Sequence, residues 1–283
     1  MAFTLQIIGF LLINITVVSG LVVLYGYCNQ ISLAQGAFFG VGAYSMAIAT
    51  TRFHVSAWAG LLIAIFISAV FGKIISLPAL KLKGHYLAMG TLAFAELMLW
   101  VFTEATPVTG GIDGIGSIGS FGGRSVTFAV CVLVTLLVLL FTRNIIKGIP
   151  GECMKAIASS EHGARACGIA VEEIKANAYI FASVTAGIGG ALYASLVGFI
   201  SPTLFAASAS IMFLAMVVIG GRKSLIGPIL SVVALTFIQY SVVILPIPNG
   251  AVRTFLSSAQ VDFYALLIIA LMLIQARRER TCR

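Results

Sequence analysis

Charge is what this sequence has least of. Only 9% of its 283 residues are Asp, Glu, Lys or Arg, against about 25% in an ordinary soluble domain. So few charges cannot clothe a water-facing surface, which argues against a soluble globular enzyme. Disorder is excluded as well, because it requires low hydrophobicity and this chain is 60% hydrophobic. Histidine is nearly absent: His54, His85 and His162 stand apart from one another. The five cysteines (Cys28, Cys131, Cys153, Cys167 and Cys282) have no C-x-x-C spacing. They read as packing residues or inert thiols rather than a disulfide framework or a metal site. Walker A, H-E-x-x-H and G-x-S-x-G patterns are all missing, so metal hydrolysis, triad chemistry and nucleotide hydrolysis lack their parts. The N-terminal Met-Ala-Phe-Thr-Leu-Gln has no basic stretch, so no cleavable signal peptide is expected.

What the chain has is long apolar runs. Spanning a bilayer takes about 20 predominantly apolar residues, and nine candidates occur: about 5–27, 31–50, 57–76, 86–106, 125–141, 176–200, 208–221, 225–245 and 261–276. The expected class is an all-α polytopic membrane protein of about eight to ten transmembrane helices, forming one domain over 1–283. Runs 208–221 and 261–276 are short, and 31–50 is interrupted by Gly36, Gly40 and Gly42. Broken or re-entrant segments are expected there, which is tolerable only where protein or a water-filled cavity surrounds the backbone.

The formal charge of +8 would raise nucleic-acid binding in a soluble protein; here the placement of the basic residues indicates topology. With 142–175 in the cytoplasm and alternating sides, 14 of the 17 Lys and Arg fall on the cytoplasmic side, leaving Arg52, Arg124 and Arg253 outside. This is the positive-inside asymmetry. It places the N-terminus outside and the C-terminus inside. No nucleic acid is expected as a partner.

Several stretches stand out. Ala178, Ala182, Ala186, Gly190, Ala194 and Gly198 recur every four residues, a face that lets another helix approach closely. Thr109–Gly123 is glycine-rich and matches G-x-G-x-x-G by letter. It lacks a preceding strand and a following acid, so it reads as a flexible external loop rather than a dinucleotide site. Pro246–Gln260 reads as a second external loop. Glu96, in the middle of the fourth run, is expected to face the bundle interior, since an ionisable group there is costly. Asn14, Gln35 and Gln239 read as interhelical hydrogen-bonding residues. Gln30–Tyr44 gathers amides and small residues in an apolar run, as would a broken helix whose N-terminus receives a carboxylate substrate. The residues taken as the expected substrate pathway are Ser32, Gln35, Gly36, Thr91 and Glu96, with Glu96 open to a structural role as well. Finally, Thr142–Lys175 is polar yet carries Met154, Ile157 and Ala158 at helical spacing. One or two amphipathic helices on the cytoplasmic face are expected, suited to docking a soluble partner.

These stretches, in order, resemble the permease subunits of branched-chain amino-acid ABC importers. The similarity runs through Ser32–Tyr44, Leu80–Glu96, Thr109–Gly114, Met154–Ile157, Glu161…Ala164…Gly168-Ile169, Ala186–Ala194, Ile200–Pro202, Ser210-Ile211 and Met216–Gly221 with Gly227-Pro228. It looks more like the second of that family's two permease types. Arg222-Lys223-Ser224 departs from the family's glycine-rich continuation. The resemblance implies a non-catalytic subunit in a bacterial cytoplasmic (inner) membrane. Its partners would be a second permease subunit, two cytoplasmic ATPase subunits and an external substrate-binding protein. ATP and Mg would be bound by the ATPases and no cofactor by this chain. Met154, Ile157, Glu161, Ala164 and Gly168 would then be the ATPase-coupling residues. Two alternatives remain open at this point: a urea or amide ABC permease, and an ion-coupled secondary transporter using Glu96.

Overall fold

In lipid every backbone N–H and C=O must be satisfied within the protein, so apolar runs of this length become helices. The computed structural model describes residues 2–82, 84–221 and 224–244, and among these each of the eight runs it covers is mainly helical. They are α1 (Ala2–Leu21), continued by a π-helical turn Val22–Tyr27, then α2 (Gln35–Thr51), α3 (Ala57–Ala79), α4 (His85–Glu104), the short α5 (Thr106–Thr109) and α6 (Arg124–Lys147). Next come α7 (Ile149–Ser159), α8 (Glu161–Ala166), α9 (Val171–Val197), α10 (Ala207–Gly220) and α11 (Ile226–Ile244). Six stretches among the described residues are long and apolar enough to cross a membrane, including Leu5–Tyr27, Val171–Val197 and Pro202–Gly220. The chain is a multi-pass membrane protein. The ninth run, the 246–260 loop, the C-terminal basic cluster and the side chain of Gln239 lie outside the described residues.

α9 is the hub, packing against α1, α2 and α3. The small-residue face accounts for this. Ala178, Ala182, Ala186, Gly190 and Ala194 are all buried, and a Cβ on Gly190 would sit 1.9 Å from the Phe39 carbonyl oxygen. Gly42 answers from α2, where a Cβ would sit 2.0 Å from the Gly187 carbonyl oxygen. The two backbones therefore touch, which only glycine allows. Gly198 is not part of the face: it caps α9 with φ 77°. Polar residues bridge helices elsewhere, as Asn14 does by donating to Thr236 Oγ1 over 3.4 Å.

Three expectations change. The run 31–50 is helical only from Gln35, and residues 28–34 are irregular although most are buried. The run 208–221 gains a 3₁₀ turn, Pro202–Phe205, and so reaches spanning length. The glycine-rich loop is folded: Ile115–Gly116 (β1) pairs antiparallel with Phe199–Ile200 (β2), and Ile115, Ile118 and Phe121 are buried. Gly114, at φ 75°, lies so close to Ile200 that a Cβ would be 2.0 Å from its carbonyl oxygen. Glycine there serves strand approach rather than flexibility.

The two ends of the bundle are chemically distinct. Thr50, Trp58, Phe121 and the β1–β2 pair meet at one end, where Gly119 N donates to Thr50 Oγ1 at 3.3 Å. The turn at 28–30, the start of α4, and α7 and α8 gather at the other, with Lys155, Arg165 and Lys175.

Candidate functional site

The irregular segment 28–34 enters the bundle from the basic end and stays there because side chains replace the missing helical hydrogen bonds. Leu33 N donates to Thr91 Oγ1 at 3.0 Å, and Ser32 Oγ shares a 2.9 Å hydrogen bond with Tyr179 Oη. Thr91 lies six residues into α4 and Tyr179 eight into α9, which at 1.5 Å per residue puts the segment about 10 Å inside the helix ends. Beyond it α2 begins, where Gly36 N donates to Ser210 Oγ at 2.8 Å. Gly36 has no room for a side chain, since a Cβ would lie 2.8 Å from that same oxygen.

Gln35, the first residue of α2, is fully buried, and neither Oε1 nor Nε2 has a hydrogen-bond partner. Gln30 Oε1, also buried, is in the same position. Unpartnered amides are expensive in an apolar interior, and they sit beside a helix N-terminus, whose positive end suits a carboxylate. Ser32, Gln35, Gly36 and Thr91 are thus brought together. Tyr179 and Ser210 complete the group; nothing in the sequence singles out Tyr179 in a run that also carries Tyr193.

Glu96 is not with them. Its side chain is exposed on the outer surface of α4, while Leu87, Thr91, Ala95, Met98 and Phe102 form the buried face. The expectation that it faces the bundle interior is corrected. α4 lies at the rim, and the helical repeat turns position 96 about 140° away from Thr91.

A cavity of about 250 Å³ joins this segment to the peripheral helices, lined by Cys28, Gln30, Leu87, Ile157, Glu161 and Lys175 among others. Burial pushes the Cys28 thiol up to about 12, with Lys175 acting in the opposite direction. The segment expected at 142–175 narrows to 148–170, because α6 and α9 take its ends. It forms two helices. Met154, Ile157 and Ala164 are buried, and Ile157, Ala164 and Val171 make a small core of their own. These residues face inward and seat α7 and α8 on the bundle. The outward face is instead Glu152, Lys155, His162, Arg165 and Cys167. Ser160 caps α8 by accepting from Gly163 N at 3.1 Å, and Gly168, at φ 78°, closes it. Glu161 is paired with Lys175 of α9. Lys155 pairs with Glu152 at 2.7 Å and lies 5.9 Å from the centre of the Tyr27 ring. Each helix of the α7–α8 unit thus has one contact with the bundle, α7 through Lys155 beside the Tyr27 ring and α8 through Glu161 on Lys175. Among the described residues no cluster of His, Cys, Asp and Glu could hold a metal ion.

The sequence is similar to those of known membrane permeases. A high-affinity branched-chain amino acid transport permease protein of Salmonella typhimurium, LivM, is 32% identical over 76% of this chain and 58% of its own. The Escherichia coli LivM is 30% identical over 82% of this chain and 62% of its own. A probable branched-chain amino acid transport permease protein, LivM, of Methanocaldococcus jannaschii is 29% identical over 47% and 40%. The chain thus spans about three fifths of the length of the first two relatives. These matches give no support to a urea or amide permease. The family described as the permease component of branched-chain amino acid transport systems matches residues 3–276, and this chain belongs to it.

Proposed function

We propose that this chain is the permease subunit of an ABC importer that carries branched-chain amino acids into the cytoplasm. It would sit in the bacterial inner membrane with its basic end, and its C-terminus, cytoplasmic, as the positive-inside rule favours. A second permease, two ATPase subunits and an external substrate-binding protein would complete the assembly. ATP and Mg belong to the ATPases, and this chain conducts without catalysing.

The observation that carries the reading is the buried irregular segment with its unpartnered amide. An amino acid passing the N-terminus of α2 would meet Gln35, free to donate to a carboxylate or accept from an ammonium group, with Ser32, Gly36 and Thr91 shaping the backbone around it. The outer face of α7 and α8 would meet the ATPase. Met154, Ile157, Ala164 and the Glu161–Lys175 pair would pass its movement to α9 and to residues 28–34, and Gly168 would let α8 end where it does. Glu96 lies outside this pathway, which counts against an ion-coupled carrier built around it.

Reconstitution tests the proposal. Proteoliposomes containing the assembled importer should take up leucine, isoleucine and valine only with ATP and the binding protein. Uptake by this chain alone, driven by an ion gradient, would overturn it.

A further inference from the structure

The cavity at the basic end, about 250 Å³ in volume, is walled by several separate stretches of chain. Gln30 comes from the irregular segment, Leu82 and Leu87 from the approach to α4 and its first turn, Ile157 from α7, Glu161 from α8 and Lys175 from α9. The volume lies just below the range of about 300–1,000 Å³ typical of drug-sized ligands. It suits a small molecule.

Two buried polar groups on this wall are not fully satisfied. Lys175 is 7% exposed and its ammonium carries three N–H donors, yet among the described residues its hydrogen bond goes to Glu161 alone. Gln30 is 5% exposed, and its Oε1 has no donor. Such groups are costly in an apolar interior. Lys175 can use a further acceptor, and Gln30 Oε1 can use a donor. The wall also has an apolar part in Leu82, Leu87 and Ile157, the last two almost fully buried. Water alone would serve the polar atoms and leave these side chains wet.

We propose that this cavity is a second station for the transported amino acid, held as a zwitterion before it leaves for the cytoplasm. Lys175 donates to the carboxylate. Gln30 Oε1 accepts from the ammonium group once the Gln30 side chain turns into the cavity, and Leu82, Leu87 and Ile157 take the aliphatic side chain. The proposal rests on the permease reading above and extends it, since the cavity adjoins the end of the irregular segment opposite Gln35. Simple ions fit less well. An anion would satisfy Lys175 but meet the Glu161 carboxylate, and a cation would meet Lys175; a zwitterion answers both charges. The rest of this chain is not the occupant either. A helix about 10–12 Å across is too wide for the space, and Arg277, Arg278, Arg280 and Arg283 would set guanidinium groups against Lys175.

The test uses the assembled importer in lipid nanodiscs, open on both faces, without its binding protein and with a diazirine analogue of leucine as probe. Illumination should attach the probe to Leu82, Leu87 or Ile157, as read by peptide mass spectrometry. Leucine should compete. Leucinamide, which lacks the carboxylate, and 4-methylpentanoate, which lacks the ammonium group, should each compete about tenfold more weakly, the order expected for a lost hydrogen bond to a charged group. Equal competition by either compound would overturn the zwitterion site, as would attachment near Gln35 alone or no attachment at all. Ala158 also lines the cavity and is exposed, so Ala158→Trp fills the space without entering the core. It should abolish attachment at Leu87 and Ile157; unchanged attachment would overturn the proposal. An unsubstituted complex that takes the probe here yet fails to import leucine with ATP and binding protein would instead overturn the permease reading.

Discussion

Ser32 and Tyr179 are 147 residues apart and share a buried hydrogen bond of 2.9 Å, fastening an irregular backbone segment to the central helix of the bundle. Tyr179→Phe keeps the ring and removes the hydroxyl. Its effect on stability should be small, about 1 kcal/mol, as for other interhelical hydrogen bonds in bilayers. Its effect on transport should be larger, because Ser32 also holds Ala34 N, at 3.4 Å, just ahead of α2. ATP-driven leucine uptake should fall several-fold while detergent thermal stability drops only slightly.

Gln35 permits a sharper separation of stability from function. Its buried amide has no partner, so replacement by an apolar residue of similar size relieves a desolvation cost of about 1–3 kcal/mol. Gln35→Leu should raise the melting temperature and abolish uptake. A variant that is destabilised yet still transports would mark Gln35 as a structural residue.

The α7–α8 unit is tied to α9 through Glu161 and Lys175. The Lys175 side chain is 9% exposed and that of Glu161 32%, so breaking the pair strands a charge at the edge of the bundle. Lys175→Met should cost about 1–2 kcal/mol, between the surface and buried limits for an ion pair. It should also uncouple ATP hydrolysis from uptake. Adding Glu161→Gln should recover part of the stability, which a double-mutant cycle measures.

Thiol labelling reports on the same end of the molecule. Burial pushes the Cys28 thiol well above its ordinary range, so little of it is ionised near neutral pH, and only the thiolate reacts readily. Cys167 is exposed at the end of α8. Maleimide should modify Cys167 quickly and Cys28 hardly at all, and Cys28 labelling should speed up as pH rises.

Helix positions are legible in this sequence because lipid makes hydropathy and length nearly sufficient. The direction of each helix face is not. In water, apolar periodicity marks the core; in a bilayer, the apolar residues of α3 and α6 point outward as readily as inward, and a rule that seats every acid inside misplaces Glu96. Small residues do carry direction, since they matter only where backbones touch, and the Ala178–Ala194 face meets the α2 backbone where Gly190 lies against Phe39. The irregular segment is half legible: the amides Asn29 and Gln30 flag a break, while Gly36, Gly40 and Gly42 lie inside unbroken α2, and Thr91 and Tyr179, which hold the segment, come from helices 58 and 147 residues away along the chain. Met154, Ile157 and Ala164 show helical spacing clearly, yet spacing cannot say whether an apolar face meets the bundle or a partner.

The most direct measurement is ATP hydrolysis by the reconstituted importer as a function of its binding protein. The account predicts that leucine-loaded binding protein stimulates hydrolysis and that Gln35→Leu blocks leucine uptake without blocking assembly. An assembled complex whose hydrolysis ignores leucine, isoleucine and valine alike would contradict it.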